Sequence, residues 1–308
     1  MTHPLRVALT GSTGFIGRRL VSQLTGLGHR VTALVRDPSD FEASLAERVV
    51  TLDLDSLVPG DESLLDALSQ VDVLCHVAAY IPADMRDPQS AERCLRVNAL
   101  STLALVETAA KSGVKRFVNF SSGNIYRYAI EPVTEDATVY PSARASYYLT
   151  SKLAGELYVD HARARGAIEA TTLRVSSVYG PSMKGGIIRT FCDRLGRGES
   201  VRVGDAGRYQ TDLVYVDDVV RAAIAAIEST KTLPFVNVGS GVSTSMLTLA
   251  RVIAELMGLS ESLIEIDPPL ATGHDPGFAP LDISRARAAL AYTPTPLMDG
   301  LRMYLASR

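Results

Sequence analysis

The stretch Arg6-Val7-Ala8-Leu9-Thr10-Gly11-Ser12-Thr13-Gly14-Phe15-Ile16-Gly17 decides how this chain folds. A short apolar run stops at a glycine, and two further glycines follow before an amphipathic helix over Arg18–Leu27. The first glycine permits a tight turn, the second lets the backbone approach a pyrophosphate, and the third lets helix and strand pack closely. Free N–H groups at the helix start and the helix dipole then favour a phosphate. Gly11, Thr13, Gly14, Phe15, Ile16 and Gly17 are therefore expected to cradle a dinucleotide.

Outward from this loop, short apolar runs alternate with longer segments of helical spacing. The expected strands are Arg6–Thr10, Arg30–Val35, Val49–Leu52, Val71–His76, Arg116–Ser121 and Ala170–Val175; the expected helices are Phe15–Leu27, Glu62–Ser69, Ser90–Lys111 and Ser146–Ala164. Alternation of this kind predicts an α/β fold with a doubly wound parallel sheet, whose strands are apolar throughout because both faces are covered. After Gly180-Pro181 the glycines cluster and the strands shorten. Leu213–Val216, running into a helix over Asp217–Glu228, and the strand Phe235–Val238 read as pieces of the first domain. The chain thus divides into a dinucleotide-binding domain, 1–180 with 212–240 returning to it, and a smaller carboxyl-terminal α+β substrate domain, 181–211 and 241–308, the two sharing a cleft.

The composition narrows the partners. Across 308 residues, 31 Lys and Arg stand against 34 Asp and Glu, a net charge of −3 that lacks the basic excess nucleic-acid binding needs. Three dispersed cysteines without a C-x-x-C pair fit a reducing compartment and exclude a disulfide framework or a cysteine zinc site. Five histidines without ligand spacing predict no metal, and His76 reads as a packed or pocket-lining residue. The lead from Met1 to Gly11 is too short for a signal peptide, and no run approaches the ~20 apolar residues of a membrane span. A cytoplasmic protein with a small-molecule substrate, and neither a membrane nor a nucleic-acid partner, is expected.

The end of the second strand selects between the nicotinamide cofactors: a carboxylate there accepts from the ribose 2′-hydroxyl, whereas an arginine welcomes a 2′-phosphate. In Leu34-Val35-Arg36-Asp37, Val35 holds the carboxylate position and Arg36 follows. This favours NADP over NAD, with Asp37 arguing the other way. Asp53, with Leu54 behind it, is placed either to meet the adenine edge or to cap a turn.

Tyr148 and Lys152 fall one turn apart on one expected helix. An ammonium beside a phenol favours the phenolate, so Tyr148 is expected to have a lowered pKa and to exchange a proton with a carbonyl or alcohol oxygen. Lys152 could also reach the nicotinamide ribose. The fifth strand ends in Ser121-Ser122, at the sheet edge where open α/β folds bind ligands, and either hydroxyl could hold the substrate oxygen.

Together these pieces resemble the extended short-chain dehydrogenase/reductase family, specifically its NAD-dependent epimerase/dehydratase group. Further residues carrying the resemblance are His76-Val77-Ala78-Ala79, Val97-Asn98, Ile125-Tyr126, Arg174, Val178-Tyr179-Gly180-Pro181, Leu213 to Asp218 and Asn237-Val238-Gly239. The resemblance implies a Rossmann sheet, an NAD(P) cofactor and catalysis by Ser122, Tyr148 and Lys152. It also implies cofactor contacts from Val77, Ala78, Ala79, Asn98, Ser121, Val175, Ser177 and Val178, and a homodimer formed by the segments Ser90–Lys111 and Ser146–Ala164. Burial of those segments against the protein's own sheet would explain their apolar faces equally well.

Departures from the group bear on the substrate. Its dehydratases place Asp-Glu after the catalytic Ser or Thr; here Gly123-Asn124 stands there and neither side chain is an acid or base, which disfavours 4,6-dehydration. Its epimerases clamp a diphosphate with an Asn and two Arg, at positions that here hold Ser177, Thr211 and the stretch Gly273-His274-Asp275. Either a nucleotide sugar binds through relocated cations, with Arg208, Arg189, Lys184 and Arg86 as candidates, or NADPH reduces a carbonyl substrate without a diphosphate. A non-catalytic dinucleotide sensor is a third reading, against which the Ser122, Tyr148, Lys152 set argues.

Overall fold

The computed structural model describes residues 3–231 and 233–308; Met1 and Thr2 of the amino-terminal lead, and Thr232, lie outside it. The strands β1 (Arg6–Thr10), β2 (Arg30–Val35), β3 (Arg48–Thr51), β4 (Val73–His76), β5 (Arg116–Ser122) and β6 (Glu169–Val175) alternate with helices α1 (Phe15–Gly26), α2 (Glu62–Ala67), α3 (Ser90–Cys94), α4 (Ser101–Lys111) and α5 (Ser146–Ala164). Next come β7 (Ser177–Tyr179), α6 (Ile187–Gly196), β8 (Val201–Val203), β9 (Gln210–Tyr215), α7 (Val216–Glu228) and β10 (Phe235–Val238). The chain ends with β11 (Ser243–Ser245), α8 (Met246–Leu256), β12 (Ile264–Ile266), α9 (Ser284–Leu290) and α10 (Leu297–Ala306).

Seven strands form one parallel sheet in the order β10-β6-β5-β4-β1-β2-β3. Successive side chains of a strand face opposite ways, so each strand feeds two cores. Val7 and Leu9 pack with Leu20 and Leu24 of α1 and Val220 and Ile224 of α7. Ala8 packs with Leu64 of α2, Leu105 of α4 and Val159 of α5 on the other face. Sheet order reverses between β1 and β4, and a crevice opens at the carboxyl ends of the strands on either side of that switch. A third core, built from Phe191 and Leu195 of α6, Leu213 and Tyr215 of β9, Leu249 and Ile253 of α8 and Leu301 of α10, covers its far side.

The structure corrects the sequence expectations in three places. The fourth strand starts at Val73 instead of Val71, because Gln70 takes a positive φ of 64° and the amide of Val71 turns back to Leu68. Segment 90–111 is not a single α-helix; a π-helical turn over Leu95–Leu100 separates α3 from α4. The wider turn exposes the carbonyl of Asn98 to the Thr102 hydroxyl at 2.8 Å and to close packing by Gly155 of α5. The segment expected as strand Leu213–Val216 begins at Gln210, and it pairs with β7 and β11 in a separate three-stranded sheet instead of joining the main one. Buried Asp212 fixes it there: its carboxylate accepts from the amides of Ser240, Gly241 and Leu281. No helix among the described residues is long and apolar enough to cross a membrane.

Candidate active site

The crevice is a cavity of about 590 Å³, of the size that small ligands and cofactors occupy. Its floor is the glycine loop. Gly11 has φ +75°, and a Cβ there would lie 2.7 Å from the amide of Ala78; one on Gly17 would lie 2.0 Å from the carbonyl of Gly11. Gly14 caps α1 without a side chain, and the first helical amide bonded within the turn is that of Arg18. The amides of Phe15, Ile16 and Gly17 before it are therefore available to an anion, that of Gly14 being bonded to the Gly11 carbonyl. A dinucleotide pyrophosphate fits such a cradle.

The expected residues fall along the cleft in sequence. At one end are Arg36, Asp53 and Leu54; in the middle are Gly11, Thr13, Gly14, Phe15, Ile16 and Gly17, with Val77, Ala78 and Ala79 above them. At the other end Ser121, Ser122, Tyr148, Lys152, Val175 and Val178 converge. Two expected contacts do not line the cavity. Asn98 is fully buried: its amide side chain accepts from the Tyr80 amide at 2.7 Å and donates to the Tyr80 carbonyl and the Ser151 hydroxyl, tying the loop after β4 to the helix of Tyr148 and Lys152. Ser177 instead shares a 2.8 Å hydrogen bond with the hydroxyl of Thr211.

Asp37, weighed above at the ribose, lines the cleft, and so do residues the sequence does not single out, Asp40, Asp55, Tyr80, Ile81 and Arg93 among them. Tyr80 and Ile81 merely continue the run Val77-Ala78-Ala79, which was a usable signal. Arg93 was not legible, since it arrives from α3 to stack on Tyr80 at 4.6 Å and to pair with Asp55. Asp37 turns its carboxylate onto the amide and hydroxyl of Ser39, at 2.9 and 2.7 Å, and these bonds hold it below the usual carboxylate range. Asp53 accepts from the amide of Asp55 at 3.0 Å, as a turn cap does, while still facing the cavity.

Burial dominates the chemistry at the serine end. Ser121 is 7% exposed and its hydroxyl has no partner among the described residues, whereas the Ser122 oxygen accepts from the amide of Asn124 at 3.2 Å. Lys152 is 3% exposed and makes no hydrogen bond among the described residues; burial pushes its ammonium down to about 8, opposed by Glu156 one turn along the helix. Glu156 is itself held by Arg174 in a buried ion pair of 2.8 Å. The phenol of Tyr148 departs from expectation, being raised to about 12 by burial and by Cys94. Helical spacing puts Lys152 on its face, but loss of water around the phenol outweighs the neighbouring charge. His76 is packed, bonded to the hydroxyls of Thr10 and Thr102 at 2.8 and 3.0 Å, and burial with the Lys152 charge pushes it down to about 3. Of the relocated cations considered, Arg208 is tied to Asp205 and Arg189 to Asp193.

The family described as NAD dependent epimerase/dehydratase matches residues 7–239. The chain belongs to this family. As an NAD dependent epimerase/dehydratase family member it is an enzyme of the extended short-chain dehydrogenase/reductase type, built to hold a nicotinamide dinucleotide. A UDP-glucose 4-epimerase from Mycolicibacterium smegmatis is 31% identical over 304 residues, covering 94% of each chain. A 3-diazoavenalumate denitrifying reductase from a Streptomyces species is 34% identical over 239 residues, 74% of each chain. MoeE5, solved with UDP-glucuronic acid and NAD, shares the fold at a TM-score of 0.83 and 30% identity over 98% of both chains.

Proposed function

We propose that this enzyme exchanges a hydride with a secondary alcohol or ketone carbon of a sugar-type substrate, a nucleotide sugar, with Ser122, Tyr148 and Lys152 as catalytic residues. The observation that carries the reading is that these three side chains line one end of a dinucleotide-sized cleft, where the buried ammonium of Lys152, without a hydrogen bond among the described residues, shares a wall with the half-buried phenol of Tyr148. The remaining cleft residues named above, without Asn98 and Ser177, are proposed as the cofactor contacts.

When bound, the dinucleotide supplies a carbon that accepts or returns a hydride. The chain supplies the proton chemistry. Tyr148, protonated at neutral pH, donates its proton to the substrate oxygen as a carbonyl is reduced, and the charge on Lys152 stabilises the phenolate left behind. Ser122 donates its hydroxyl hydrogen to the same oxygen while one of its two lone pairs accepts from the Asn124 amide. Ser121, whose hydroxyl has no partner among the described residues, lines the same cleft and is proposed as a cofactor contact.

Arg36 lines the cavity while Asp37 is occupied by Ser39, which supports NADP over NAD at the ribose. The same preference, together with hydroxyls at Ser177 and Thr211, supports a second reading, an NADPH-dependent reductase of a carbonyl compound without a diphosphate. Leu100 and Leu157, 48% and 62% exposed on the π-helical turn and α5, support a homodimer through these segments. The discriminating experiment is mass spectrometry of the dinucleotide retained on purification, followed by product analysis with UDP- and dTDP-sugars. Epimerised or reduced sugar bears the first reading out; turnover of simple ketones alone, with sugars untouched, overturns it.

A further inference from the structure

We infer that Arg144 is the anchor for the anionic part of the substrate, taking the diphosphate of a nucleotide sugar in exchange for its present partner, Asp275. The inference rests on the nucleotide-sugar reading above. Arg144 lies in the turn Ala143–Ala145 that leads into α5, about one helical turn ahead of Tyr148. Its guanidinium lies over the ring of Tyr209, 4.5 Å from the centroid, and donates to the Asp275 carboxylate at 2.9 Å. Tyr209 meets Phe278 edge to face at 6.2 Å, and Phe278 packs against the same apolar cluster as Tyr148. An aromatic wall therefore runs from the proposed proton donor to the guanidinium.

The position of that wall relative to the cleft follows from the adjoining strand. Tyr209 immediately precedes β9, two residues before Thr211. Thr211 bonds to Ser177, which sits between the cleft-lining residues Ser176 and Val178. A substrate whose carbonyl meets Tyr148 and whose tail leaves past Phe278 arrives at Arg144. The charge that the diphosphate clamp lacks at Thr211 is then supplied from the facing turn.

The pair is built to exchange. Arg144 and Asp275 side chains are 45% and 35% exposed, and a solvated ion pair of this kind contributes little. A diphosphate offers two charges and bidentate geometry to the same fork. The tyrosine face keeps the guanidinium flat in either state. Asp275 stays in place without it, because its second oxygen accepts from the Gly277 amide at 2.9 Å. Arg208 lacks this freedom: besides Asp205 it donates to the carbonyl of Leu270 at 3.2 Å.

The test is calorimetric titration of UDP into NAD-saturated protein. Wild type is expected to bind UDP, Arg144→Ala to bind it at least about tenfold more weakly, and Asp275→Asn, which removes the competing charge, to bind it several-fold more tightly. NAD affinity and the melting temperature without UDP should stay unchanged in both variants. UDP binding by Arg144→Ala at wild-type strength overturns this inference alone. A wild-type protein that binds neither UDP nor, in the same titration, dTDP overturns it together with the nucleotide-sugar reading.

Discussion

Lys152 shows how far residue identity alone carries. The Tyr148-x-x-x-Lys152 spacing pointed to a shared helix face, and the structure puts both side chains on one cleft wall. The direction of the phenol shift is not legible from the sequence, because it depends on how much water the fold removes, and that is set by the elements packed on α5, β5 and α3 among them, rather than by spacing. The same burial makes a prediction. With its ammonium pushed down to about 8, Lys152 is charged below that pH and neutral above it. Carbonyl reduction should therefore be flat through neutrality and fall as pH rises past about 8. Glu156 holds the value up, so Glu156→Gln should move the fall to lower pH, read from a kcat profile. It should also destabilise the fold by about 3–5 kcal/mol, because Arg174 is left buried without its carboxylate. A profile that ignores the Glu156 charge would separate Lys152 from the chemistry.

Among the elements, the strand-turn-helix unit β1-α1 was the most legible, because steric necessity is written into it. Gly17 cannot carry a side chain without a 2.0 Å contact with backbone, whereas Gly26, on the same helix, has nothing within 4 Å of an added Cβ. Gly17→Ala should accordingly destabilise by about 1–3 kcal/mol and abolish retention of the dinucleotide. Gly26→Ala should stabilise by about 0.5–1 kcal/mol. Urea melts of the two variants, with and without NAD, check both signs. Less legible were the π-helical turn at Leu95–Leu100 and the placement of β9, since both are imposed by distant partners, Gly155 against Asn98 and Asp212 against the amides of Ser240, Gly241 and Leu281. Sequence periodicity carries no record of such contacts. Asn98 was recognised as a site residue for a resemblance, and its work proves to be holding the Tyr80 loop.

On the scale of the whole molecule, the sheet switch point, the glycine cradle and the serine end form one crevice, while the third core closes it. The alternating pattern of the first 175 residues made the doubly wound sheet readable; the far wall was not, because its strands are three to six residues long and pair out of order. The apolar positions Leu105, Val106 and Ala109 are buried within the chain's own core, so the proposed homodimer would rest on the exposed Leu95, Leu100 and Leu157. Light scattering should accordingly give a dimer mass for the wild type and a monomer for Leu157→Glu with its melting behaviour largely retained; a monomeric wild type contradicts the dimer.

Tyr148 is the proposed proton donor beside a bound dinucleotide, and the proposed chemistry depends on it most directly. The measurement is turnover of Tyr148→Phe, which keeps the ring and removes only the hydroxyl, alongside titration of the dinucleotide into the same protein. Dinucleotide binding equal to wild type, with turnover reduced by about 100-fold or more, is the predicted result. Turnover near the wild-type rate would contradict it.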